Sequence, residues 1–352
     1  MSRLLGLVLL VFVWTVPGRV TAVEPKRPGQ ESFLTRAVLA DGRLWVLSDS
    51  GDLSSISEGS DVRGEGNLPE PALDLCLRDG YPAVITCKSD DCMNWVLRRR
   101  VNGKWSIEAT VQTEHDDLVA LSCAAKEVTL LTTSRLIDIG RSKQSAVVLS
   151  EKLYAGWVTS VVVTADQVFV GINRGEWGGG LRRIERHSGK VTDIERNATW
   201  DLCSGPLNTA CDPVNGIAPE PWKPDCVAVA VGLVHFEPHG RIVEVCGDRV
   251  QRLYYKPYGE EASRHSEKAA DEPSQTVAFF GLTREGDALL AAGIDGIYRI
   301  EASGTEYSAP LPSFTNIGGI QVSFDVPHLV VVLTSVNQRR SVSGSVPILV
   351  PR

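Results

Sequence analysis

The sequence predicts an all-β fold, a single seven-bladed β-propeller of four-stranded antiparallel blades with disulfide links. Three observations predict it: a recurring phrase, evenly spaced apolar runs, and almost no sustained 3.6-residue period. The phrase reads RLWVLSDSGDLSSI at 43–56, QVFVGINRGEWGGGLRRI at 167–184 and DALLAAGIDGIYRI at 287–300. Each copy has an apolar strand, a polar Gly-containing turn, and an aliphatic residue three positions before an Ile.

The strongest run of each repeat is marked by Trp45, Ile85, Leu130, Phe169, Val229, Leu290 and Val331, in steps of 40, 45, 39, 60, 61 and 41 residues. Four steps match the roughly 40–45 residues of a four-stranded blade. The two long steps hold polar insertions, expected as loops at 197–225 and 258–274, with a short helix near 259–270. Six or eight blades also fit, because either long step has room to hide or lack one. A blade alone cannot bury both faces, whereas blades stacked in a ring bury one another. The final apolar run, SVPILV at 345–350, is expected as a strand that joins the first blade and locks the ring.

Residues 1–22 set the expected compartment. Arg3, an apolar stretch from Leu4 to Trp14, and the ending Val20-Thr21-Ala22 have the form of a cleavable secretory signal. The apolar stretch is shorter than the roughly 18 residues that span a bilayer, and no integral membrane segment is expected after cleavage. Residues 23–32 read as a linker and 33–352 as the propeller. With 43% apolar residues the chain has material for a sizeable core. The net charge of −7 with scattered Lys and Arg excludes a nucleic-acid partner. A monomer, secreted or periplasmic, is expected.

Eight cysteines in an exported chain read as disulfides. Roughly a hundred pairings are possible, and position in the repeats suggests four. Cys76 and Cys123 are equivalent in successive repeats. Cys87 and Cys92 flank a polar tip, Cys203 and Cys211 enclose a short loop, and Cys226 and Cys246 lie on two runs of one hairpin.

The phrases resemble those of bacterial propeller repeats, most closely the sensor-type repeats of two-component-regulator propellers. The stretch 289–304 fits well. The stretch 168–189 fits with about four extra residues, Arg174 to Trp177, and 43–56 departs by one residue, Asp52. The resemblance implies the fold and, loosely, roles in binding or signal sensing. It carries no catalytic motif, and a sensor role is not carried over.

The odd middle copy is the first candidate site. Asn173, Arg174, Glu176 and Trp177 crowd a Gly-rich turn, and Arg beside an indole suits an anion or a sugar ring. The alternative is an enlarged hairpin whose Trp packs on a neighbouring blade and whose Arg pairs with Glu176. Trp222, in the insertion 197–225, is a further ligand-binding candidate, and an open channel with Trp177 and Trp222 at its mouth would favour a sugar. His115, Asp116, Asp117 and Asp212 are candidates for acid–base chemistry, with Glu176. No metal site is expected: His235 and His239 flank Pro238, which excludes the helical spacing a shared ion needs. No linear nucleophile motif occurs, and nothing calls for a cofactor.

The expected function is an exported module that binds a protein or carbohydrate at one face of the ring. The alternatives are a secreted propeller hydrolase or lyase acting on carbohydrate or ester, and an assembly scaffold.

Overall fold

The computed structural model describes residues 34–57, 63–64, 68–87, 92–124, 127–140, 143–195, 205–259, 275–311, 320–334 and 348–352. The expected signal, the linker, nearly all of 258–274 and the helix expected near 259–270 therefore lie outside the described residues.

Seven antiparallel sheets follow one another along the chain. Blade one comprises β1 (Leu34–Ala40), β2 (Arg43–Ser48), β3 (Leu53–Ser57) and β4 (Arg63–Gly64). Blade two is β5 (Ala72–Arg78), β6 (Tyr81–Cys87), β7 (Asn94–Val101) and β8 (Lys104–Gln112). Blade three is β9 (Leu118–Cys123), β10 (Glu127–Thr132), β11 (Arg135–Gly140) and β12 (Gln144–Val148). Blade four is β13 (Val158–Val163), β14 (Gln167–Asn173), β15 (Gly179–Glu185) and β16 (Val191–Ile194). Blade five is β17 (Val214–Pro219), β18 (Cys226–His235), β19 (Glu237–Cys246) and β20 (Arg249–Tyr254). Blade six is β21 (Phe279–Glu285), β22 (Ala288–Gly293), β23 (Gly296–Glu301) and β24 (Gly304–Pro310). Blade seven shows three described strands, β25 (Ile320–Ser323), β26 (Leu329–Thr334) and β27 (Ile348–Pro351).

The seven marker residues all fall on the second strand of a blade, and all are buried. The reason is the period of two along a strand. Leu130 of β10 packs toward blade two, and its neighbour Leu131 packs toward blade four. Phe169 of β14 likewise faces blade five, while Val168 and Val170 face blade three. A second strand has a blade on both sides, so its sequence is continuously apolar. Each of the three phrases is a second strand, its turn and the third strand of one blade.

The first strands line a central channel of about 880 Å³. Six of them carry the same irregularity. The register skips the second residue of β1, β5, β9, β13, β17 and β21, leaving Thr35, Leu73, Val119, Thr159, Asn215 and Phe280 outside the ladder. Polar side chains then stitch neighbouring first strands together. Leu121 N–H donates to Asp74 at 3.1 Å, Ile217 N–H to the Ser160 hydroxyl at 3.0 Å, and Asn215 to the Phe279 carbonyl at 2.9 Å.

Two expectations are corrected. The segment 197–225, expected as a loop, contains β17. VNGIAP reads as a loop because a first strand faces the channel on one side, where apolar continuity is not needed. Gly216 is required there, since a Cβ would stand 2.5 Å from the Leu282 nitrogen of blade six. The second correction concerns the C-terminal run. β27 pairs with β26 of its own blade, register Val331↔Leu349, and not with blade one. Blades one and seven meet instead through Ala37, Val326 and Val331, with Leu44, Val46 and Leu329 around them.

Cys76–Cys123 joins the first strands of blades two and three, Cys87–Cys92 closes the tip of blade two, and Cys226–Cys246 bridges β18 and β19. Cys211 is also oxidised, and the expected partner Cys203 lies outside the described residues.

Candidate functional site

Strands run antiparallel, so the turns between second and third strands share one face with the links from each fourth strand to the next blade. This upper face carries Asn173, Arg174, Glu176 and Trp177, the link containing His115 to Asp117, and the 205–213 link containing Asp212. Trp222 follows β17 and lies in a turn between first and second strands, on the opposite face. It packs against the apolar cluster between blades five and six. The grouping of Trp222 with Trp177 at one face is therefore corrected: sequence proximity does not say at which end of a meander a turn falls.

The upper-face candidates separate into structural posts and an open cleft. Asn173 donates to Asn215 at 2.6 Å and accepts from Gly175 N–H at 2.7 Å, which holds the start of the turn. Asp212 is buried, ion-paired with Arg241 at 2.6 Å, and accepts from Asn208 N–H at 2.6 Å. Arg241 also donates to the Pro206 carbonyl at 2.8 Å, so the pair clamps the 205–213 link to blade five. Asp116 accepts from Ser134 at 2.6 Å, Thr132 at 2.8 Å and Arg135 Nε at 2.8 Å. Burial pushes its carboxyl up, but the bonds from Ser134, Arg135 and Thr132 outweigh it and hold the pKa below the ordinary carboxylate range. His115 is exposed, with its backbone at φ 63°, and Asp117 sits at the entry to β9.

Glu176 pairs with His235 at 2.9 Å, not with Arg174. The His235–Glu237 hairpin tip thus abuts the turn and presents Phe236, which is 96% exposed, on the same face as Trp177, which is 73% exposed. Gly178 and Gly180 pack on the 205–213 link, where a Cβ would come within 2.3 Å of Ala210 and 2.7 Å of Thr209.

What remains is a cleft of about 270 Å³ bounded by Tyr154, Trp157, Arg174, Arg182, Asp193 and Thr209. Two of its walls escape the sequence analysis. Tyr154 and Trp157 lie in the link from blade three to blade four. Leu149 and Leu153 of that link are buried in the cluster between those blades, and Leu153 N–H donates to the Thr133 carbonyl at 2.8 Å. The anchored link turns once in a short 3₁₀ segment, Ala155–Trp157, and holds the two rings outward. Their centroids are 4.7 Å apart at 36°, with Tyr154 66% and Trp157 38% exposed. The signal available in the sequence is YAGW, two aromatics three apart in a link.

Arg174 spans the cleft. Its guanidinium carbon stands 5.8 Å from the Trp157 ring centre, and Nη2 donates to the Thr209 carbonyl at 3.2 Å. Among the described residues no carboxylate pairs with it, and its Nε has no acceptor. Arg182, by contrast, is held by Asp193 at 2.9 Å. The cleft thus offers a stacking surface, a cation that no carboxylate among the described residues pairs, and a backbone rim.

No protein-family model matches the chain, and no curated protein matches it. Solved structures do. The chain is similar to the extracellular domain assigned to a one-component system of B. thetaiotaomicron, at 13% identity and TM-score 0.52, over 86% of this chain and 37% of that one. The chain therefore spans little more than a third of that domain. It is also similar to the computationally designed protein Ika8, at 11% identity and TM-score 0.53, covering 88% of this chain and 82% of that. YCF48 from Cyanidioschyzon merolae matches at 13% identity and TM-score 0.50, covering 89% and 95%. At such identities the likeness is one of fold.

Proposed function

We propose that the chain is an exported binding module that takes an acidic carbohydrate in the cleft between Tyr154, Trp157 and Arg174. The observation that carries this reading is Arg174, which lies against an exposed ring and has no carboxylate partner among the described residues. Exposed Trp and Tyr faces suit the apolar face of a pyranose, and a guanidinium suits a carboxylate on it. The signal-like start and the disulfides support an oxidising, extracytoplasmic compartment. The extracellular setting of the similar B. thetaiotaomicron domain agrees with that.

The test is calorimetric titration with uronate oligosaccharides, with neutral oligosaccharides of the same length as controls. Acidic ligands are expected to bind in preference, and Trp157→Ala and Arg174→Gln each to weaken binding by about tenfold, or roughly 1.4 kcal/mol. Equal affinity for both ligand classes, or affinity unchanged in both variants, overturns the reading.

A further inference from the structure

The lower end of blade five, at the face opposite the cleft, gathers a second set of reactive groups. Cys226 opens β18 and Cys246 closes β19; they are direct partners in the register, with Cα atoms 4.4 Å apart, and are disulfide-bonded. The backbone of Cys226 bonds into the preceding turn, its carbonyl accepting from Glu220 N–H at 2.9 Å and its N–H donating to Lys223 at 3.2 Å. The bond therefore occupies a non-hydrogen-bonded pair of the ladder. Cys226 is buried, whereas Cys246 is half-buried beside the exposed Gly247-Asp248 turn.

Glu220 points into this corner. It is 3% exposed, and a carboxylate oxygen and the two sulfurs lie within 4.8 Å of one another. Glu244 stands next to it, fully buried and held by Lys223, by Gln251 at 2.5 Å and by Arg249 at 3.3 Å. Glu244 takes the donors. Among the described residues Glu220 meets Glu244 and Trp222 but accepts no well-formed hydrogen bond from either, and Lys223 Nζ stays 3.9 Å away. A buried carboxylate left without donors is costly and favours the protonated form. Burial and the adjacent Glu244 push the Glu220 pKa up to about 7, with Lys223 and Trp222 acting more weakly against them. A carboxyl group that holds its proton near neutrality beside a sulfur–sulfur bond has a use in chemistry that the fold does not require.

We propose that Cys226–Cys246 is a thiol–disulfide exchange site for a dithiol partner, with Glu220 as the acid that protonates the departing sulfur. The partner's first thiolate attacks Sγ of Cys246, the more exposed residue of the pair. A sulfur–sulfur bond forms between the two molecules as the Cys226–Cys246 bond breaks. The electron pair goes to Sγ of Cys226, which takes the proton of Glu220. The partner's second thiol loses its proton to water and attacks its own sulfur in the mixed disulfide. Cys246 leaves as a thiolate and is protonated from solvent, and Glu220 regains its proton from solvent. The partner ends as a disulfide and this chain as two thiols.

The test uses the full chain with dithiothreitol as the probe, and quantifies each cysteine pair by alkylation and mass spectrometry between pH 6 and 8.5. Rates are divided by the thiolate concentration of the probe. Cys226–Cys246 is expected to be reduced before Cys76–Cys123 and Cys87–Cys92. Its normalised rate is expected to fall by about tenfold or more across that range as Glu220 ionises. Glu220→Gln is expected to flatten the profile and slow the reaction at pH 6, leaving Cys76–Cys123 and Cys87–Cys92 unchanged. A flat profile in the unaltered chain, reduction of these three described bonds together, or a profile retained in Glu220→Gln overturns the proposal. The unaltered chain alone decides the first two outcomes, so a variant that fails to fold does not protect the idea.

Discussion

Replacing Arg241 with Met tests whether the upper-face cleft depends on a buried ion pair. Arg241 and Asp212 are 6% and 1% exposed and meet at 2.6 Å. Met fills much of the aliphatic volume but removes the charge and the donors to Gly205, Pro206 and Asp212. Asp212 keeps the Asn208 N–H and loses its guanidinium. Breaking one side of a buried pair costs about 3–5 kcal/mol. For a domain of this length that corresponds to a fall in Tm of roughly 5–7 °C. Guanidinium denaturation with the disulfides intact measures the cost at pH 7. Adding Asp212→Leu recovers much of the loss, because no charge is then left buried. Thr209, on the same link, contacts Arg174, so ligand affinity falls with Arg241→Met as well. A cost below about 1 kcal/mol refutes the reasoning.

Three further outcomes are expected. Gly178→Ala, at φ 80° and with its new Cβ 2.3 Å from Ala210, displaces the 205–213 link and costs more than about 1 kcal/mol in thermal or chemical denaturation. Replacing Cys76 and Cys123 together with Ser costs about 2–5 kcal/mol and selectively raises amide hydrogen exchange in the first strands of blades two and three. Glu220, whose pKa is raised in the fold, contributes stability present below its unfolded pKa near 4.5 and lost as pH rises through about 7. Tm measured from pH 5 to pH 8 therefore declines less steeply in Glu220→Gln than in the unaltered chain.

The second strands were readable because a blade on each side forces both faces of the strand to be apolar. Runs such as CVAVAVGLVHF announce themselves, and their spacing counts the blades. First strands answer to the channel and to close approach instead, so VNGIAP, with its Gly216, looks like a loop. Ring closure was not readable either, since an apolar terminal run satisfies its own blade as well as another. At the candidate site, the excess residues 174–177 stand out through their departure from the repeat, and Arg174 among them lines the cleft. Tyr154 and Trp157 carry no such departure: only burial of Leu149 and Leu153 beneath them reveals that the rings face outward. Trp222 was misjudged because two residues in polar insertions look alike until the strand direction between them is known.

The skipped residues of the first strands have a consequence for how such a ring changes over time. Thr35, Leu73, Val119, Thr159, Asn215 and Phe280 occupy one equivalent place in six blades, and none supplies a rung of its ladder. Four of them border the channel. A side chain there can be exchanged at a cost set by its own contacts, while the pairing that builds the blade is untouched. The four that border the channel form an arc that can be rewritten letter by letter, and two descendants with one frame can admit quite different molecules to the same bore.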